Sequence, residues 1–167
     1  MILRSRPLKI AALGIALAGV AAAIFWWRFA GPLGSRATGL LRQDDSVTLQ
    51  RGQQIYQAQC AVCHGASLEG QASWRERGTD GRLPAPPNDE SGHTWHHPDD
   101  VLIRITKEGT EKAIGLPDYA SNMPPFGDSL SDADIVAVLS WIKSRWPSDL
   151  QARHDAINRQ SNRQSQR

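Results

Sequence analysis

The chain has 167 residues, of which 40% are apolar and 22% charged, an ordinary globular balance that excludes wholesale disorder. Two cysteines exclude a disulfide-dense scaffold, and Cys60 and Cys63 lie too close in sequence to staple distant segments. The net charge of +2 hides a division: residues 1–42 carry six basic groups and no acid, residues 43–147 nine basic and fifteen acidic, and residues 148–167 four arginines against two aspartates. The acidic middle block repels nucleic acid, so a nucleic-acid partner is excluded.

Arg4, Arg6 and Lys9 precede an uncharged run of eighteen residues, Ile10 to Trp27. As a helix at about 1.5 Å per residue it reaches roughly 27 Å, marginally enough to span a hydrocarbon core. Residues 1–30 therefore read as a transmembrane anchor or a signal peptide. A signal would use Leu8 to Val20 as its core and be cut near Ala21-Ala22-Ala23. An anchor would place Phe25, Trp26 and Trp27 at the outer interface, and it is the better reading because cleavage leaves an Ile-Phe-Trp-Trp end on a soluble protein. Either fate exports the rest of the chain. Residues 31–45, with four well-spaced glycine and proline positions, form a linker. Residues 46–147 form a single domain, and the polar tail 148–167 is expected to be disordered or a frayed helical extension without a function.

The domain reads as all-α. A first helix is predicted from Val47 to Gln59, capped by Ser46, with Ile55 and Tyr56 on its apolar side. A second starts at His97-Pro98, with Asp99 and Asp100 in its first turn, and stops before Gly109. In the third, Ser131 and Asp134 form a capping box and Leu130 and Ile135 a staple; Ile135, Val138, Leu139, Ile142 and Trp146 follow helical spacing, and Pro147 ends it. The stretches 65–96 and 109–129 are loop-like. Loops so long need something to pack on, and a large apolar cofactor would supply the missing core.

The first helix runs into Cys60-Ala61-Val62-Cys63-His64. Two thiols one helical turn apart can add to the two vinyl groups of one haem, and the adjacent histidine can bind the iron from below. A thioredoxin-type pair requires a strand before the cysteines, and here a helix precedes them. A zinc site of Cys60, Cys63, His93 and His96 needs a spacing far longer than that of zinc fingers. Haem c, one covalent group with its iron, is the cofactor these residues favour.

The block from Gly52 to Trp146 resembles a class I c-type cytochrome of the bacterial, membrane-anchored, monohaem kind. The residues that carry the likeness are Gly52, Tyr56, the run Cys60 to Gly65, the loop Asn122-Met123-Pro124-Pro125-Phe126 and the terminal helix. The resemblance implies a cytochrome c-like helical domain wrapped around one haem, with the first and last helices crossing at Gly52 against Tyr56 and Trp141. It implies His64 and Met123 as the two iron ligands, Met1 being the other methionine and His93, His96 and His97 the competitors. It also implies that a proline run supplies a carbonyl to His64; Pro84-Ala85-Pro86-Pro87 matches, with Pro86 the donor of that carbonyl, and Trp95 packs near the haem edge.

The expected function is one-electron transfer without enzymatic turnover, at the periplasmic face of a bacterial inner membrane, or in the soluble periplasm if the signal is cleaved. The acidic body is expected to dock on basic patches of a redox protein. Two alternatives stand beside this: an accessory haem subunit of a periplasmic oxidoreductase, and a copper- or metal-handling protein using His93, His96 and His97.

Overall fold

In α1 (Ser46–Ile55), Asp45 is the cap in place of the expected Ser46: its carboxylate accepts from the Val47 and Thr48 amides and from the Thr48 hydroxyl. The computed structural model describes residues 39–115 and 119–167. The anchor or signal expected over 1–30 and most of the linker lie outside the described residues. Among the described residues no helix is long and apolar enough to cross a membrane, and none forms a strand.

From Ile55 the helical path continues through a π-helical turn (Tyr56–Cys60) into α2 (Ala61–His64), which Gly65 ends at φ 81°. The extra residue of the π-turn rotates the Cys-x-x-Cys-His segment relative to the buried face of α1. A 3-10 turn (Thr94–His96) leads to α3 (Asp99–Glu108), with Pro98 as the residue before the helix rather than its first position. A short α4 (Thr110–Ile114) occupies the start of the stretch expected to be loop. Then comes α5 (Asp132–Ser144), where the Asp134 amide donates to Ser131 Oγ and the Ser131 hydroxyl donates back to the Asp134 carboxylate.

The core forms where α1 packs on α5. Ile55, Tyr56, Leu102, Ile135, Val138, Leu139, Ile142 and Trp146 form it, together with Leu41 from the linker end and Leu68 from the long loop. Gly52 lies on this seam. A Cβ there would stand 2.1 Å from the Ala137 carbonyl oxygen and 2.8 Å from Trp141 Cβ, so only glycine lets the two helices approach so closely. One turn on, Tyr56 is fully buried with its ring 4.7 Å from that of Trp141.

The tail corrects the sequence expectation. Pro147 does end α5, but it also opens α6 (Ser148–Ser165), an ordered helix of 18 residues. Leu150, His154 and Asn158 recur at i, i+4 and i+8 and are buried. This stripe is mostly polar, which is why apolar periodicity misses it. Its partner is Asp99, which is 2% exposed and serves as a hub instead of a solvated first-turn acid. Asp99 accepts from the Leu40 and Leu41 amides at 2.6 and 3.1 Å and from Asn158 Nδ2 at 3.0 Å, while the Asp99 amide donates to Asn158 Oδ1 at 2.8 Å. His154 Nε2 donates to the His97 carbonyl at 3.0 Å. Beside this hub Lys143, 1% exposed, meets Asp155 of α6 at 2.5 Å.

Burial holds His154 below the ordinary histidine range, although Asp99 pulls the other way. The folded protein therefore keeps His154 neutral, while the unfolded chain takes up a proton near pH 6.5. Stability from this group is present above that pH and is lost as the pH falls. The denaturation midpoint should accordingly drop between pH 7.5 and 5.5, and the drop should shrink in His154→Gln measured by the same urea titration. Gly52→Val should cost about 2–3 kcal/mol by overpacking the helix crossing, read from denaturant midpoints, with Gly52→Ala intermediate.

Candidate functional site

The π-turn and α2 set out the three reactive side chains. Cys60 is half-buried, and burial, reinforced by the neighbouring Cys63, pushes its thiol up to about 11. Cys60 is thus held as a neutral S–H in the free chain. Cys63 is exposed and Val62 is 84% exposed, so this turn of helix has an open apolar side without a protein partner.

His64 Nδ1 lies 2.9 Å from the Pro86 carbonyl oxygen. A carbonyl only accepts, so Nδ1 carries the proton and Nε2 is left with a free lone pair. Burial lowers the affinity of His64 for a second proton, with the Pro86 contact opposing it.

Several residues that sequence reasoning missed build the seat for that hydrogen bond. Gln71 clamps Ala85 on both sides, its amide donating to the Ala85 carbonyl and its Oε1 accepting from the Ala85 amide. Asn88, just after the prolines, donates its amide to the Leu68 carbonyl, and its own carbonyl accepts from Trp146 Nε1 at 2.8 Å. On the other side the Tyr56 hydroxyl donates to the Gly65 carbonyl at 2.7 Å and fixes the end of α2. The tyrosine proton is held tightly, since burial raises its pKa, with the thiol of Cys60 adding to the effect. An i, i+9 side-chain-to-backbone bond and a glutamine clamp leave no periodic mark in a sequence.

Met123 stands in a second wall. Its amide donates to Ser121 Oγ, the Arg82 guanidinium donates to Asn122 Oδ1 at 2.9 Å, and Leu83 bridges Ser121. After the two prolines, the Phe126 and Gly127 amides donate to the Thr106 and Lys107 carbonyls at the end of α3. The methionine loop is thereby tied to the segment leading into the proline run. Met123 lines an open cleft of about 340 Å³ with Tyr119, Pro125 and Glu111, a cleft in which Cys60, Cys63 and His64 take no part.

The histidine cluster does not assemble. His93 stacks on Trp74 with ring centroids 5.4 Å apart and meets His97 edge-on at 5.4 Å, whereas His96 stacks on Trp95 at 3.6 Å. Burial lowers the pKa of both His93 and His97. Among the described residues no three His, Cys, Asp or Glu side chains converge as a metal site. The three imidazoles instead serve aromatic stacking in the loop before α3.

A comparison with protein families matches residues 47–142, more than half of the chain, to the family described as cytochrome C oxidase, cbb3-type, subunit III. The chain belongs to this family. It is a cytochrome c domain, of a haem-binding and electron-transferring class. No curated protein and no solved structure matches it. The match covers the helix crossing at Gly52, the Cys-x-x-Cys-His turn, the proline run and the Met123 loop; α6 falls outside it.

The residues of this cytochrome domain fit a haem. The free Nε2 of His64 and the open side of α2 at Val62 and Cys63 suit one face of a porphyrin. Trp95 Nε1 is buried without a hydrogen-bond partner, an orphaned donor that a propionate carboxylate would satisfy.

Proposed function

We propose that this cytochrome domain is a one-electron carrier, tethered by residues 1–30 to the periplasmic face of a bacterial inner membrane, with a single haem c held by Cys60 and Cys63 and ligated by His64 and Met123. The observation that carries the reading is the 2.9 Å contact from His64 Nδ1 to the Pro86 carbonyl within a Cys-x-x-Cys-His turn. A bound haem supplies a one-electron iron couple.

The chain's own residues do the rest. Pro86 fixes the His64 tautomer and ring orientation and makes Nε2 a stronger donor to the metal. Met123 offers a soft thioether that favours the reduced metal relative to a second histidine. With His64 and Met123 both holding the iron, a bound haem would have no position left for dioxygen or peroxide. This argues for electron transfer in place of enzymatic turnover. Trp95 donates its indole proton to a propionate. The acidic surface of residues 43–147 selects a redox partner with basic patches.

Absorption spectra test the assignment. The matured protein should show a haem that acid acetone does not extract and a sulfur-to-iron charge-transfer band in the oxidised state. Met123→Ala should lose that band and gain ready carbon monoxide binding when reduced. A colourless protein, extractable pigment, or a band that survives Met123→Ala would overturn the assignment. Electron transfer to a basic redox partner should slow about tenfold or more between 50 and 500 mM salt, as stopped-flow rates would read; a salt-independent rate speaks against the docking surface.

A further inference from the structure

The proposed function does not use α6, and the family match stops before it. Its two faces differ sharply. Leu150, His154 and Asn158 are buried on the Asp99 hub. Arg159 and Arg163 stand nine residues on from Leu150 and His154, half a turn away, so they lie on the opposite, exposed side, and Arg167 follows, exposed, just past the end of the helix. Arg153 is exposed on the flank. Residues 156–167 contain no acid, and the one acid in the middle of the helix, Asp155, is engaged by Lys143. None of the four arginines forms an ion pair with a described carboxylate.

The place where the chain enters the domain lies beside this helix. The Leu40 and Leu41 amides bind Asp99, and a Cβ on Gly39 would meet Asn158 Nδ2 at 3.0 Å. Gly39 and Leu40 line a small cleft with Asn158 and Asn162 of α6. Only eleven residues, 28–38, separate Gly39 from the apolar run that ends at Trp27. Even fully extended they span at most about 40 Å. The helix that carries the arginines is thus built next to the point at which the chain enters the domain.

We propose that α6 is a docking surface for an anionic phospholipid bilayer, with Arg159 and Arg163 contacting headgroup phosphates. The proximity argument rests on the membrane-tether reading above; the charge argument does not. A basic helix face beside an anionic leaflet gains roughly fivefold in binding for each arginine at the surface. The acidic block of residues 43–147 is repelled by the same leaflet, so the helix seats the domain in one orientation, with the acidic, haem-holding body turned to the aqueous side.

The test uses the full-length, haem-loaded chain on vesicles of phosphatidylcholine alone or with 30% phosphatidylglycerol, treated with phenylglyoxal, which modifies accessible arginines. Peptide masses report the rate at each arginine. Arg159 and Arg163 should be modified at least fivefold more slowly on the phosphatidylglycerol vesicles at 50 mM salt, and the difference should vanish at 500 mM. Arg75 and Arg77, in the loop before the proline run, should react equally on both. Equal rates at Arg159 and Arg163 on the two vesicles, or equal slowing at Arg75 and Arg77, would overturn the proposal. Flotation with pure phosphatidylcholine at 500 mM salt reads the tether separately: a chain that leaves those vesicles lacks the anchor, while slowed modification on phosphatidylglycerol still establishes the α6 surface.

Discussion

Two helix backbones meet at Gly52, with no space between them for a single carbon atom. The contact sets the depth at which α1 lies on α5, and so places Tyr56 one turn later against Trp141. From there the Tyr56 hydroxyl reaches the Gly65 carbonyl, which fixes the end of the helix that carries Cys60, Cys63 and His64. The Cys-x-x-Cys-His turn is therefore referenced to a backbone crossing through one aromatic contact and one hydrogen bond. A glycine in mid-helix costs about 1 kcal/mol of helix propensity relative to alanine, and the close approach is what offsets it.

The parts of this design that were legible in the sequence are the ones written in short-range chemistry. Ser131 and Asp134 announce the start of α5, the Cys-x-x-Cys-His spacing announces one short turn that carries three reactive side chains, and the resemblance points to the crossing of Gly52, Tyr56 and Trp141 that the structure has. The illegible parts depend on partners distant in sequence. The π-turn over Tyr56–Cys60 has no compositional signature. Asp99 looked like a helix-dipole acid, yet its carboxylate is consumed by Leu40, Leu41 and Asn158. The tail looked disordered because the face it buries is His and Asn, residues whose burial is stabilising only when every donor and acceptor finds a partner. Met123 was picked out by its loop, but the cleft it lines is not the surface of α2.

That buried polar stripe shapes the energetics of the C-terminal half. His154, Asn158, Asp99 and the Lys143–Asp155 pair exclude water without adding much apolar area. Networks of this kind contribute little net stability when complete and cost several kcal/mol when one member is removed. They therefore act on uniqueness: α6 has one register in which all the groups are satisfied. A Leu-rich helix would bind more strongly but would tolerate sliding, and sliding would carry the linker end at Leu40 and Leu41 with it.

The carbonyl that orients His64 belongs to a peptide unit with proline on both sides of the bond, Pro86 and Pro87. Such a unit has no N–H of its own to seek an alternative partner, and its backbone angles are already narrow before folding. The segment thus surrenders little freedom when it closes over the imidazole. Thermal breathing elsewhere in the long loop is then poorly coupled to rotation of that ring, and the imidazole's azimuth becomes a property of the polypeptide's stiffness as much as of its packing.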